Sequence, residues 1–248
     1  MKFRNINTLN VSPVPRLVQQ LVSNLMIAPA SASVIALGAL LMPTQTAAHP
    51  HIFVDTGFAF EFDDSDHLVA IKVTWQYDEF YSLLITEDLQ LDRDGDGVLT
   101  PQEGILLTGF DTNWDEGFNG DLELRINGAV VPLSGPVDAG TELLEGRIVS
   151  THRRQLSQPV AKQDGPFSLK AFDPSYYTAY EITLPVTLSP HLQGHCMLER
   201  IDPDIAGGLA QMQAQLLRLD ANADLEENDI PLIGGEFATE VLLSCPSS

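Results

Sequence analysis

Asp92, Asp94, Asp96, Thr100 and Glu103 stand at positions 1, 3, 5, 9 and 12 of the stretch Asp-Arg-Asp-Gly-Asp-Gly-Val-Leu-Thr-Pro-Gln-Glu. That is the ligand spacing of an EF-hand calcium loop. The three aspartates offer hard carboxylate oxygens, and Val98 at position 7 offers its backbone carbonyl. Thr100 sits where the contact often runs through water, and Glu103 closes the loop as a bidentate carboxylate. Gly97, at position 6, permits the sharp turn that a side chain would obstruct. Such a loop needs a helix on each side. Glu79 to Leu91 predicts the entering one, carrying Phe80, Leu83, Leu84 and Leu91. Thr100-x-x-Glu103 is a capping box that starts the exiting one, with Pro101 in its first turn.

A second candidate lies where an export leader would end. Lys2, Arg4 and Arg16 precede an apolar stretch from Leu25 to Met42, and Thr46-Ala47-Ala48 supplies small residues for cleavage. Residues 1–48 are therefore expected to be a signal peptide. A retained anchor is the alternative, which Pro29, Gly38 and Pro43 speak against. Cleavage would expose His49-Pro50-His51. The new terminal amine and the His49 imidazole would form a compact chelate for copper, nickel or zinc, with His51 adding a third nitrogen. Pro50 has no amide hydrogen to lose, so the square-planar mode that uses deprotonated backbone amides is blocked.

The remaining candidates carry less. His191 and His195 are four apart, but Pro190 and Gly194 favour a loop over a shared helical face. His67 and His152 read as surface residues. Asp220, Asn222 and Asp224 repeat the first three ligand positions, yet Leu225 and Pro231 occupy the positions of the glycine and the closing glutamate, so a capped helix end is the expected reading of 220–231. Cys196 and Cys245 are the only cysteines. In an exported protein such a pair reads as a disulfide; the alternative makes Cys196, beside His195, a soft-metal ligand.

The leader holds three basic residues and no acidic ones, so its removal would take the net charge from −21 to −24. That surface excludes nucleic acid and anionic lipid as partners and attracts cations. No later stretch is apolar enough to span a bilayer. There is no Gly-x-Ser-x-Gly elbow, phosphate loop, dinucleotide fingerprint or His-Glu-x-x-His, and no catalytic residue is assigned.

The elements that must position these groups read mainly with period two. Strands are expected at Ile52–Phe62 and Leu68–Trp75 around an Asp63-Asp64-Ser65-Asp66 turn, and at Leu122–Ile126 and Val130–Leu133 around Asn127-Gly128. Further strands are expected at Glu145–Thr151, Phe167–Phe172, Tyr176–Leu184, Cys196–Ile201 and Glu240–Ser244. Ile205–Leu219 reads as a helix through Leu209, Met212, Leu216 and Leu217. The expected fold is α+β: one mainly antiparallel, β-sandwich-like domain over 49–248, with a helical EF-hand insertion at about 78–112.

His49-Pro50-His51 with Phe53-Val54-Asp55, Thr74-Trp75-Gln76-Tyr77-Asp78-Glu79-Phe80-Tyr81-Ser82, the acidic loop, Asp173-Pro174-Ser175-Tyr176-Tyr177 and Cys196 share one further property. Together they resemble a bacterial family of exported proteins described as the periplasmic component of an uncharacterised transport system, commonly encoded near nickel/cobalt or other metal transporters. The resemblance implies periplasmic residence and an inner-membrane metal transporter as partner; it implies no catalytic residues. The expectation is a calcium-binding periplasmic protein that binds or delivers a transition metal. The alternatives are a structural or protein-binding module rigidified by calcium, and a copper enzyme built on the amino-terminal His brace.

Overall fold

The computed structural model describes residues 50–218 and 232–246. It is mainly β, with two antiparallel-rich sheets facing each other across an apolar core, plus three α-helices. β1 (Ile52–Phe62) and β2 (His67–Tyr77) alternate as their sequence requires. Val54, Thr56, Phe58, Phe60 and Phe62 point inward from β1, and Ile71, Val73, Trp75 and Tyr77 from β2. Their turn is the expected one: Asp63 Oδ1 accepts from the amides of Ser65 and His67, each at 2.9 Å.

β2 is followed by α1 (Glu79–Asp88) and α2 (Pro101–Leu107), then β3 (Leu122–Ile126) and β4 (Ala129–Val131), joined through Asn127-Gly128. β5 (Leu133–Leu144) and β6 (Arg147–Ala161) form a long hairpin. β7 (Phe167–Ala171), β8 (Thr178–Glu181), β9 (Val186–Leu188), β10 (Met197–Ile201), α3 (Ile205–Leu216) and β11 (Glu240–Ser244) complete the described chain. One sheet runs β5-β6-β2-β1-β8, with β9 also on β1; the other runs β10-β11-β7-β3-β4. Phe62 from the first meets Phe167 from the second edge to face at 6.0 Å.

Several element expectations need correction, and the strand expected over Glu145–Thr151 runs on to Ala161 as β6. Residues 133–144 were not expected to be a strand, because Gly135, Pro136, Asp138 and Gly140 interrupt the apolar alternation. As an edge strand with two register shifts, β5 tolerates them. The single strand expected over Tyr176–Leu184 is shorter: β8 and β9 are two segments that pair parallel with successive parts of β1. The connection between them crosses Gly57, where a Cβ would lie 2.8 Å from Leu184 Cβ and 2.9 Å from Pro185 O, so only glycine fits. The helix expected to reach Leu219 ends at Leu216, and Leu209, Leu216 and Leu217 are exposed; Gly208 makes its close approach, to Phe237.

A disulfide joins Cys196 to Cys245 across the β10–β11 pair. No helix among the described residues is long and apolar enough to cross a membrane.

Candidate cation site

α1 begins at Asp78, whose Oδ1 accepts from Tyr81 N–H while Oδ2 accepts from Phe53 N–H, fixing the helix start to the start of β1. Ser82 faces the sheet and accepts from Ile148 N–H at 2.9 Å. Because Ser82 takes that face, Phe80, Leu83 and Leu84 are left exposed, Phe80 at 68 %. The helix stops at Asp88, not at Leu91, and Gln90 and Asp92 adopt positive φ. Leu91 is buried and anchors the chain ahead of the loop.

In the loop, carboxylate oxygens of Asp92, Asp94 and Asp96 lie within 4.8 Å of one another. Gly97, with φ +78°, turns the chain so that its N–H meets the Asp92 carboxylate at 3.1 Å. Val98 N–H donates to Asp96 Oδ1 at 2.8 Å. α2 starts at Pro101 as expected, with Thr100 and Glu103 forming the reciprocal capping box. Glu103 stands outside the aspartate group. Its Oε2 accepts from the Thr100 N–H and hydroxyl, at 2.8 and 2.7 Å, and its Oε1 from Asp92 N–H at 3.0 Å. The Thr100 hydroxyl, helped by these amides, holds the Glu103 carboxyl below the usual range.

The other candidates do not join this group. The His51 ring makes a tilted contact with Tyr177, ring centroids 4.7 Å apart, and the His51 backbone N–H donates to Tyr177 O at 2.8 Å. His49 and the 220–231 loop lie outside the described residues. His191 Nε2 meets Asp66 Oδ1 at 3.1 Å, and Lys162 bonds the other oxygen of that carboxylate. Cys196 is committed to the disulfide, so the soft-ligand alternative is removed. Asp173 caps its own turn, accepting from the amides of Ser175, Tyr177 and Thr178.

A cluster that the sequence did not announce lies inside the first sheet. His152, expected on the surface, is 1 % exposed. It sits between the rings of Trp75 and Trp114, at 4.7 and 5.4 Å. Burial, with the nearby Arg154 charge adding to it, pushes its imidazole down to about 4. Arg154 lies over Trp114 and donates to the carbonyls of Ser134 and Asn119. Tyr77 OH donates to Asp111 Oδ2 and Tyr180 OH to Asp121 Oδ2, each at 2.9 Å. Burial raises both carboxyls, Asp121 to about 7. The signal was faint: Ile148, Ser150, His152 and Arg154 alternate on one strand face, yet Thr151, Arg153 and Gln155 make the opposite face polar too.

A family model described as "Protein of unknown function (DUF1007)" matches residues 34–245. The chain belongs to that family. The DUF1007 match encloses the acidic loop, His51, the Asp173 turn, the interior cluster and both cysteines. Its description assigns no activity to any of them. No curated protein matches the chain.

Proposed function

We propose that this DUF1007 protein is an exported cation-binding protein. In this reading loop 92–103 takes calcium, and the protein binds or delivers a transition metal for an inner-membrane transporter. The observation that carries it is the convergence of Asp92, Asp94 and Asp96 at EF-hand spacing, with Gly97 turning the chain where that loop needs it. Glu103 and the Val98 carbonyl would complete an oxygen shell that suits calcium better than the smaller, stricter magnesium. The early end of α1 departs from an EF-hand, whose entering helix runs into the loop. The disulfide is in keeping with an oxidising compartment. The transition-metal part rests on His49 and His51 and on the resemblance to exported transport components.

The exposed Phe80, Leu83 and Leu84 favour a second reading, in which calcium stiffens a protein-binding module. Calorimetry on wild type and Glu103→Gln tests the calcium site: heat is expected from the wild type with calcium and not from the variant. Equal binding by both removes the assignment. Metal analysis of the processed protein, purified without an amino-terminal tag, separates the two readings. Calcium with no copper, nickel or zinc above background leaves only the structural module.

A further inference from the structure

Among the described residues, five buried polar side-chain atoms on or beside the β2–β6 face of the first sheet have no hydrogen-bond partner: Trp75 Nε1, Asp111 Oδ1, Ser150 Oγ and both ring nitrogens of His152. Trp75, Ser150 and His152 are 4 %, 1 % and 1 % exposed. They share one neighbourhood. Trp75 and Ser150 are register partners across β2 and β6, and the Trp75 and His152 rings are in contact. Burial raises the Asp111 carboxyl and the nearby Ser150 hydroxyl pulls it back down as a hydrogen-bond partner, yet the two side chains do not meet in good hydrogen-bond geometry. Unmatched buried polar atoms in this number would cancel much of the stability a domain has.

The chemistry of the five atoms narrows what can serve them. An indole N–H only donates, whereas a neutral imidazole presents one donor and one acceptor. A bare metal cation accepts from neither N–H, and the Arg154 guanidinium beside the imidazole repels it. An anion gives nothing to the Asp111 carboxylate. The guest must be neutral, small, and both donor and acceptor. The two imidazole nitrogens flank one ring carbon and direct their N–H and lone pair away from each other, so one guest atom cannot bond both.

We infer that Trp75, Asp111, Ser150 and His152 form a built site for at least two internal water molecules. These waters join the segment after α2 to the β2–β6 face of the sheet. One of them is shared by Ser150, Asp111 and one His152 nitrogen. The other serves the second His152 nitrogen and Trp75 and hydrogen-bonds the first water, so that each has the roughly three polar partners a buried water needs and the loss of Ser150 is felt at Trp75.

Crystals of the wild-type protein from two unrelated conditions, at near-atomic resolution, test this. Solvent peaks are expected in both at about 2.7–3.2 Å from Trp75 Nε1 and from a His152 nitrogen. Direct protein–protein hydrogen bonds with no solvent would overturn the inference, as would a metal or organic molecule at the site in both crystals. In solution, the chain's two indole N–H signals are told apart by Trp114→Phe. The Trp75 indole should show a long-lived water cross-peak that falls to background in His152→Phe. If that variant does not fold, Ser150→Ala should weaken the same cross-peak. An unchanged cross-peak in a folded variant counts against the site.

Discussion

Tyr77 OH donates to Asp111 Oδ2 at 2.9 Å, and this bond ties the end of β2 to the segment that leaves α2. The acidic loop lies between the two residues in sequence, so the bond closes the whole helical insertion onto the sheet. Tyr77→Phe removes the donor and leaves a buried carboxyl short of a partner. The expected loss is about 1–3 kcal/mol, read as a lower urea midpoint with an unchanged slope. A midpoint equal to wild type would mean that water replaces the phenol without cost.

The interior cluster sets a pH dependence through groups of opposite sign. The unfolded chain carries a proton on His152 up to about pH 6.5, while the folded protein holds it only to about 4. His152 therefore contributes stability that is present above 6.5 and lost as pH falls toward 4. Asp121 does the reverse. Its folded carboxyl keeps a proton to about 7, so its contribution is present below 3.8 and lost as pH rises through 7. Asp111, also raised, adds to the Asp121 sign. The His152 and Asp121 contributions are each on the order of 3 kcal/mol. Wild type should show a shallow profile between pH 4 and 6.5. Asp121→Asn should give stability rising with pH across that window, and His152→Phe stability falling. Parallel profiles for all three proteins would remove this account.

What the sequence made legible follows from how strongly each segment is constrained by its own residues. β1, β2 and β11 bury one face apiece against the core, and their alternation located them, β1 and β11 to the residue and β2 to within two residues at each end. β5 lies on an edge, where pairing with β6 on one side sustains a strand that contains Gly135, Pro136 and Asp138. No periodic signal was needed there, and none was present. The clustering of Asp92, Asp94 and Asp96 and the Thr100–Glu103 capping box were legible because both are set by local spacing. The interior polar cluster was not, because His152 packs against Trp75 and Trp114, which belong to two segments outside its own strand. Next to Arg153 and Arg154 it read as surface; strand alternation turned Arg153 outward and His152 inward.

The Cys196–Cys245 bond closes a segment with a sequence separation of 49 residues, which includes α3. In the chain-entropy model that closure contributes about 4 kcal/mol. Cys196→Ser with Cys245→Ser should therefore lower the thermal midpoint by roughly 2–4 °C for each kcal/mol lost. Because α1, α2 and the acidic loop lie outside the closed segment, calcium affinity should stay within about twofold, a free-energy change below 0.5 kcal/mol. A large fall in affinity would show that the β10–β11 end and the loop are coupled.

The amino terminus decides whether the protein handles a transition metal. Pro50 and His51 lead into β1, and His51 is held by its backbone N–H to the Tyr177 carbonyl and by a tilted contact with the Tyr177 ring. If processing makes His49 the first residue, its amine and imidazole should chelate copper(II), nickel(II) or zinc, with His51 near enough in sequence to add a nitrogen. Binding should weaken as pH falls, since amine and imidazole must both lose protons to ligate. One extra Ala before His49 keeps every side chain and breaks only the chelate ring between amine and imidazole. Titration of the processed protein and of this variant, by calorimetry and by the copper(II) visible spectrum, should show at least tenfold weaker binding by the variant. Equal binding would discard the brace and move attention to the acidic surface and to His195, since His191 already pairs with Asp66.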